Sequence, residues 1–369
     1  MKLLIAILIA FCVYTIVRRT YLKHWEDGLD IKVDFPEGVV REGENGTLAC
    51  TITNGKWLPL PVLLVKFAIT RTFIFGNTSG SAVTDQYYRN EYFTLKPYER
   101  IIRSYPFICS RRGLFGMRDM DVICKDLFLS EEMYTEREHE ARLTVLPKRV
   151  SDKDIPDEIR KFMGDIETNI RLQEDPFAFS VIREYQPYDS MHSVNWKSSA
   201  RMDRLMVNTY NSTYQREVIV IMNLNCNSNV RTEQMQENII RIAATLCAGM
   251  IQKKIPVSIV SNGRDKESDA ELNIGAGANN RHIGTIENAL ARISLDKRMD
   301  TVMAHIANTS TGDSNREYIL LSNERKNSIM QEVDNAKKRG VHITHVLPVF
   351  KDETVVNDID AIRWVIEDE

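Results

Sequence analysis

Apolar and polar positions divide the chain into three stretches with different periodicities. An unbroken apolar run of 15 residues, 3–17, comes first. Between residues 29 and 146, short runs of alternating or clustered apolar residues are separated by turn sequences, which predicts β-strands. From residue 217 onward, short apolar runs alternate with longer amphipathic ones, as strands alternate with helices. The pattern therefore predicts an apolar anchor (residues 1–24), an all-β domain (28–147) and, after a connecting segment, an α/β domain (179–369).

The middle stretch predicts a β-sandwich. Turn-forming pairs such as Asn54-Gly55, Gly76-Asn77 and Arg112-Gly113 separate its apolar runs, and no helical repeat interrupts the series. Several short strands at this spacing favour an immunoglobulin-like β-sandwich, without the disulfide and tryptophan of antibody domains. The predicted strands include residues 31–35, 47–53, 62–69, 98–108, 117–124 and 141–146.

A polar, acidic segment (residues 148–178) connects the two domains. Four apolar residues in it are spaced as one helical face, and Pro156 stands near the first turn, so we predict a short connecting helix. These four residues are Ile155, Ile159, Phe162 and Ile166.

The last stretch predicts a parallel sheet covered by helices on both faces, because strands that alternate with helices form right-handed β-α-β units. Gly275-Ala276-Gly277 lacks the third glycine of a dinucleotide-binding loop, so we interpret it as a flexible polar loop. The predicted strands are residues 217–222, 256–260, 318–321 and 341–347, and the predicted helices are 232–254, 283–293 and 324–339.

Composition agrees with two folded domains and excludes several classes of protein. The chain has 369 residues, 43% hydrophobic and 27% charged, and its formal net charge is -3. Without a global basic field, broad nucleic-acid binding is disfavoured. The six cysteines are scattered with no C-x-x-C pair, so zinc-site and redox-motif interpretations fail on spacing. We expect reduced cysteines in a reducing compartment.

The first apolar run predicts a single-pass membrane anchor. It is shorter than the roughly 20 residues that normally span a bilayer, but residues 20–22 can extend it while Arg18 and Arg19 snorkel to the headgroups. A cleaved signal peptide is the competing interpretation, and no small-x-small cleavage site follows the run. More positive charges follow the run than precede it. The positive-inside rule then places the body in the cytoplasm, at the cell membrane.

The stretch from residue 181 to residue 210 is unusual because charges and aromatic rings interleave at close quarters. It holds Trp196, Tyr185 and Tyr188, which a solvated loop does not need, together with arginines and carboxylates, which a core strand does not carry. Since a buried charge is costly without a partner, this mixture predicts a partly buried polar network.

The order of residues in this stretch, taken with an upstream pair of segments, resembles the DUF58 family. Tyr188 stands where that family usually has Gly, and Leu129-Ser130 replaces its usual Gly-Leu. The matching residues are Arg183-Glu184-Tyr185, Pro187 with Asp189, Trp196-Lys197 and Ser199-Ala200-Arg201 ahead of Leu205-Met206-Val207, and upstream Ser110-Arg111-Arg112-Gly113-Leu114-Phe115 and Asp126-Leu127-Phe128.

The resemblance implies an architecture and a partnership rather than a reaction, because the family has no established chemistry. It implies a von Willebrand factor A-like α/β domain and a working partnership with a MoxR-type AAA+ ATPase in the assembly or maturation of other proteins. The residues that we predict to form a partner-binding or structural signature are Arg183, Glu184, Tyr185, Asp189, Trp196, Lys197 and Arg201.

A von Willebrand factor A-like domain often holds a divalent cation at the carboxyl end of its first strand, where ligands bind to open α/β sheets. A cation such as Mg²⁺ prefers carboxylate or hydroxyl oxygens, and asparagine offers a neutral amide oxygen instead. We therefore predict a degenerate site without metal or other cofactor, in which the asparagines shape turns and cap the next helix. The residues concerned are Asn223, Asn225, Asn227 and Asn323.

The sequence favours a non-catalytic interaction protein over two alternatives. One is a metal-assisted hydrolase that uses Glu184 and Asp189 with the Asn225 region, although the nearby arginines favour structural salt bridges. The other is a structural envelope protein with its body outside the cytoplasm. His192 with Asp189 and a neighbouring serine lacks the pattern of a hydrolytic triad. The sequence does not determine the oligomeric state.

Overall fold

A computed structural model describes residues 2–76, 81–83, 86–173, 181–186, 191, 194–209, 217–224, 230–298, 316–325, 327–353 and 361–366. The chain divides into two compact units, Met1–Lys148 and Arg149–Glu369. Each unit has its own hydrophobic core, and each is described by itself.

The first unit begins with helix α1, Lys2–His24. Its apolar side chains from Leu3 onward are exposed, whereas Tyr21 near its end is buried and joins the core of the unit together with Trp25. The helix is long and apolar enough to cross a membrane, which is compatible with a single-pass anchor.

Two antiparallel sheets form most of the first unit, in the strand orders β1-β3-β8-β5 and β11-β10-β4-β7-β6. A third sheet has the order β2-β12-β9, with β2 parallel to β12. The strands are β1 Leu29–Asp34, β2 Val39–Arg41, β3 Asn45–Asn54, β4 Leu60–Thr70, β5 Phe73–Phe75, β6 Ser81–Val83, β7 Gln86–Leu95, β8 Arg100–Cys109, β9 Gly113–Met117, β10 Met120–Lys125, β11 Glu132–Arg137 and β12 Ala141–Leu146.

The two larger sheets share one core, because apolar side chains on alternate positions point inward. Strand β1 alternates strictly between buried and exposed residues, and most positions of β4 alternate between buried and half-buried residues. Val33 and Ile52 of the first sheet belong to the same cluster of buried side chains as Leu63 and Val122 of the second. Buried Cys50, Cys109 and Cys124 are free thiols of this unit.

The predicted strands of the first unit omit β7, and one predicted strand is in fact parts of two strands. Strand β7 lies in the five-stranded sheet, but its run QYYRNEYFTL is too polar to read as a strand. The predicted strand 117–124 is the end of β9 and most of β10, separated by a turn in which Asp119 has φ +61°. Aspartate tolerates that left-handed conformation better than most residues do, so the turn needs no glycine that would mark it in the sequence.

The second unit contains a seven-stranded sheet with the path β17-β16-β15-β19-β20-β21, and β18 also pairs with β16. A separate two-stranded sheet pairs β13 with β14. The elements are α2 Asp157–Gln173, β13 Val181–Glu184, α3 Trp196–Met202, β14 Met206–Thr209, β15 Glu217–Met222, α4 Val230–Gln252, β16 Val257–Asp265, β17 Glu271–Gly277, α5 Asn280–Arg292, β18 Ile293–Arg298, β19 Arg316–Leu321, α6 Asn327–Lys338, β20 His342–Phe350 and β21 Ile362–Ile366.

Helices cover both faces of the sheet because alternate residues of its strands point to opposite sides. Val218 and Val220 of β15 join one core with α2, α4 and α5. Ile221 joins a second core, with Ile329 and Val333 of α6. A strand buried on both faces reads as a continuous apolar run, which is why β15 could be predicted with its bounds unchanged.

The prediction of a purely parallel sheet was wrong at one edge. Strands β17 and β18 are both antiparallel to β16. The glycines Gly275 and Gly277 lie in β17, so the interpretation of this segment as a flexible loop was also wrong. A Cβ added at Gly277 would meet the ring of His282 at 2.5 Å, so this edge strand uses glycine for a close approach to α5.

Candidate functional site

The signature segment forms a small structure around β14. Strand β13 pairs with one edge of β14, with Arg183 opposite Val207, and Val194 bridges to Val207 on the other edge. The backbone of Tyr185 donates a hydrogen bond to the carbonyl of Leu205 at 2.8 Å. The segments that carry Arg183, Glu184 and Tyr185 and the segment that leads into α3 are therefore held on opposite sides of one strand.

Helix α3 is fixed at both ends by its own sequence. The side-chain oxygen of Asn195 accepts a hydrogen bond from the backbone of Ser198 at 3.0 Å and caps the amino terminus. Asp203 ends the helix in the left-handed conformation. The buried hydroxyl of Ser199 donates to the carbonyl of Asn195 and accepts from the backbone of Met206, both at 2.8 Å. These bonds hold α3 against the start of β14.

The signature side chains that we predicted to be partly buried are mainly exposed. Trp196 is 63% exposed, Glu184, Lys197 and Arg201 are also exposed, and Arg183 and Tyr185 are half-buried. The prediction of partial burial therefore holds for Arg183 and Tyr185 and is wrong for the exposed residues of the signature. Asp189 lies outside them, as do Pro187, Tyr188, His192 and Ser193.

The ion pair of Glu184 is weak. An Nη1 atom of Arg204 lies 3.4 Å from Oε2 of Glu184, and more than half of each side chain is exposed. Solvent screening leaves such a pair with roughly 0–1 kcal/mol of stabilisation. This ion pair therefore contributes little to folding.

Apolar side chains add to the exposed surface of the signature. They are Ile182, Met191, Trp196, Met202 and Leu205. We call these residues, with Lys197 and Arg201, the signature surface. Exposed tryptophan, methionine and arginine side chains are typical of protein interfaces, because they offer a large contact area and a charge that can pair across it.

A second set of polar side chains lies at the carboxyl ends of β15 and β19, and these side chains are mainly buried. The Asn223 amide nitrogen donates to Oγ of Ser322 at 2.9 Å and to Oε2 of Glu324 at 3.2 Å. Asn262 donates to Oδ1 of Asn223 at 3.3 Å, and its own side-chain oxygen accepts from the backbone of Leu224 at 2.8 Å. We call Asn223, Asn262, Ser322 and Glu324 the sheet-edge cluster.

The sheet-edge cluster does not fit a hard cation. An amide N–H group points at the hydroxyl and carboxylate oxygens that would face the ion, and Glu324 is the one carboxylate in the cluster. Across the described part of the chain, no three His, Cys, Asp or Glu side chains converge as a metal site would require. Asn225 and Asn227 lie outside the described residues, and Asn323 is half-buried.

Sequence reasoning missed Asn262 and Gln236 in this region. The side chain of Gln236 is buried on α4 and donates to the carbonyl of Leu224 at 2.9 Å. The sequence around Asn262 carried a signal, since Ser261-Asn262-Gly263 follows directly on the apolar run of β16. We took these polar residues to end the strand, whereas β16 continues through them to Asp265.

Comparisons with solved structures return β-rich domains at low similarity. The CARDB domain of a Pyrococcus furiosus protein, in complex with di-metal ions, is 16% identical, with a TM-score of 0.22, and the match covers 32% of this chain and 90% of that one. Domains D2 and D3 of the major pilin SpaD from Corynebacterium diphtheriae are 11% identical, with a TM-score of 0.23 and coverages of 33% and 57%. These values are compatible with a β-rich unit and carry no argument about function.

Comparisons by sequence give a family for the signature region. No curated protein matches the chain. Residues 181–307 match the family described as "Protein of unknown function DUF58". That range begins with β13 and includes the signature surface, Asn223 and Asn262, so the chain is similar over this region to a family defined by its sequence and not by a reaction.

Proposed function

We propose that this protein is a membrane-anchored, non-catalytic interaction protein that presents its signature surface to a partner protein. The observation that carries the proposal is the exposure of Trp196 on a short helix capped at both ends. A solvated tryptophan contributes little to folding, and tryptophan is enriched among the residues that dominate binding energy at interfaces. Lys197 and Arg201 lie on the same helix and favour an acidic partner surface.

The partner that we propose is an AAA+ ATPase of the MoxR type, acting with this protein in the assembly or maturation of other proteins. The DUF58 match supports this class of partner, because the resemblance of the signature implies it. We further propose that the second unit is von Willebrand factor A-like and that the first is an immunoglobulin-like sandwich. The parallel pairing of β15, β16, β19, β20 and β21 supports the first assignment.

We place the body of the protein in the cytoplasm, where such an ATPase works. The positive charges that follow the apolar run support this orientation. Labelling of an Ile102→Cys variant from each side of sealed membranes tests it, because Ile102 is exposed on β8 whereas the natural cysteines of the first unit's sheets are buried. Labelling of this cysteine from the exterior alone would favour a structural envelope protein instead.

Affinity capture from detergent-solubilised membranes tests the partnership directly. We expect Trp196→Ala to reduce ATPase capture by about tenfold or more, since a hot-spot residue contributes about 2 kcal/mol or more to binding. Trp57→Ala is the matched control, because Trp57 is 62% exposed in the first unit. Equal capture by both variants, with equal melting temperatures, contradicts the proposal. Arg201→Glu should weaken capture in the same way without lowering the melting temperature.

The described residues give the hydrolase alternative no specific support. Glu184 pairs with Arg204, and the other residues of that hypothesis, Asp189 and Asn225, lie outside the described part of the chain. Metal analysis of the purified protein tests the alternative. Stoichiometric divalent metal would revive it.

A further inference from the structure

An exposed apolar tip lies in the loop between β10 and β11 of the first unit. Leu127, Phe128 and Leu129 are 52%, 47% and 58% exposed, and they are consecutive in sequence. Single exposed apolar residues are ordinary, but three in a row at the end of a loop form a protrusion that water solvates poorly.

The loop is built to keep these three side chains outward. The Asp126 carboxylate is fully buried and accepts hydrogen bonds from the backbone of Ser130 at 2.6 Å, from the Ser130 hydroxyl at 2.7 Å and from the backbone of Glu131 at 3.2 Å. Leu129 has φ +57°, a left-handed conformation that is strained for a leucine. A fixed and strained loop that exposes apolar side chains points to a function outside the fold.

The tip lies beside the apolar run of α1. The rings of Phe128 and Tyr14 are 5.4 Å apart, and the Tyr14 hydroxyl donates to Oγ of Ser130 at 3.3 Å. Arg18, one helical turn further on, pairs with Glu131 at 2.5 Å. Tyr14 precedes Arg18 by about 6 Å along the helix axis, so the tip lies on the apolar side of the first arginine.

We propose that Leu127, Phe128 and Leu129 insert into the interfacial layer of the bilayer next to α1, as a second membrane contact. When the Arg18 guanidinium lies at headgroup level, the contact with Tyr14 places Phe128 at the boundary between headgroups and acyl chains. Interfacial segments bury their apolar side chains to a depth of about 5–10 Å at this boundary. The lipid is favoured as the occupant because the tip is continuous with the apolar surface of α1, which is exposed from Leu3 to Ile16. The inference rests on the membrane placement of α1 and is independent of the ATPase partner.

Depth-dependent fluorescence quenching tests the proposal on the full-length chain in lipid nanodiscs. The test variant combines Phe128→Cys with Cys12→Ser and Cys226→Ser, and an environment-sensitive fluorophore is attached to the cysteine at position 128. Ile102→Cys is the matched control, because Ile102 is an exposed apolar residue on β8 of the other large sheet. Ile9→Cys reports on insertion of α1 itself. We expect acyl-chain-brominated lipids to quench position 128 at least about twofold more than position 102, and position 9 most strongly.

The three positions separate this proposal from the membrane anchor. Quenching at position 9 with no excess at position 128 over position 102 overturns the inserted tip and leaves the anchor standing. A lack of quenching at all three positions overturns both, without bearing on capture of the ATPase. A tip that is covered by protein rather than lipid gives a blue-shifted emission without quenching, and that result also overturns the proposal.

Discussion

The signature surface and the sheet-edge cluster lie in the same unit, yet their polar side chains differ in exposure and charge. The signature surface carries charged and aromatic side chains in solvent, with Trp196 more than half exposed. The sheet-edge cluster is mainly buried and mainly neutral, and its side chains hydrogen-bond to one another and to the backbone of Leu224. Exposed charge is available to a partner, whereas buried amides stabilise one arrangement of strands. This difference supports the recognition role that we propose for the first region.

The largest effect should follow from placing a charge in the sheet-edge cluster. Asn223→Asp would set a second carboxylate beside Glu324 in a buried site, which we expect to destabilise the protein by about 3–5 kcal/mol. Asn323→Asp is the matched control, because Asn323 is half-buried and adjacent in sequence to Glu324. Chemical denaturation measures both. If the Asn223→Asp protein were as stable as the control, the buried cluster would not be needed to stabilise the arrangement of strands.

A magnesium titration of Asn223→Asp sharpens the same test. If two carboxylates and the Ser322 hydroxyl can surround a cation, millimolar Mg²⁺ should restore stability to the variant and leave the natural protein unchanged. A gain of stability in the natural protein would show that the cluster already binds the ion with Glu324 as its one carboxylate.

Asp126 shows what a buried carboxylate requires, and its removal should have an intermediate effect. Burial by itself raises the pKa of Asp126, but hydrogen bonds from Ser130 and Glu131 outweigh it and the pKa is lowered. This stabilisation is complete above the ordinary carboxyl pKa of about 3.9 and is lost as pH falls through the lower folded value. Asp126→Asn should cost about 1–3 kcal/mol near neutral pH.

The pH dependence distinguishes this role from simple packing. We expect the stability difference between Asp126→Asn and the natural protein to shrink as pH falls below about 4, because both chains then lack the carboxylate. Urea denaturation across that range measures it. A difference that does not change with pH would mean that the carboxylate charge contributes nothing to the loop.

The smallest effect should come from the signature itself. Glu184→Gln removes the charge that pairs with Arg204, and both side chains are largely exposed. We expect a loss of stability of about 0–1 kcal/mol, detectable by thermal melting and reduced further in high salt. A loss above about 2 kcal/mol would mean that the signature is a structural network after all.

Local patterns predicted the parts of the fold that depend on neighbours in sequence. Strand β15 has a continuous apolar run because both of its faces are buried, and α4 has a clear amphipathic repeat. Strand β7 escaped prediction because its polar and charged residues hide its pairing with β4, from which β5 and β6 separate it along the chain. The segment with Gly275 and Gly277 was interpreted as a loop for the same reason, because it forms a strand only through its pairing with β16.

The residues of the candidate sites could be predicted from the sequence, but their burial and their contacts could not. The residue types of the signature and of Asn223 were evident from the sequence, and the DUF58 match includes both regions. The exposure of Trp196 depends on how α3 is held against β14, through a hydroxyl at Ser199 and a cap at Asn195. Such contacts join residues whose spacing has no periodic signature, so burial could not be derived from the pattern alone.

The burial of Tyr21 and Trp25 in the first core has a mechanical consequence. The Tyr21 hydroxyl donates to the carbonyl of Pro59 at 2.8 Å, so the end of α1 is held against the core of the first unit. A membrane-spanning helix adapts to bilayer thickness by changing its tilt. If α1 spans the membrane as we propose, a thinner or thicker bilayer would therefore turn the whole first unit through the same angle.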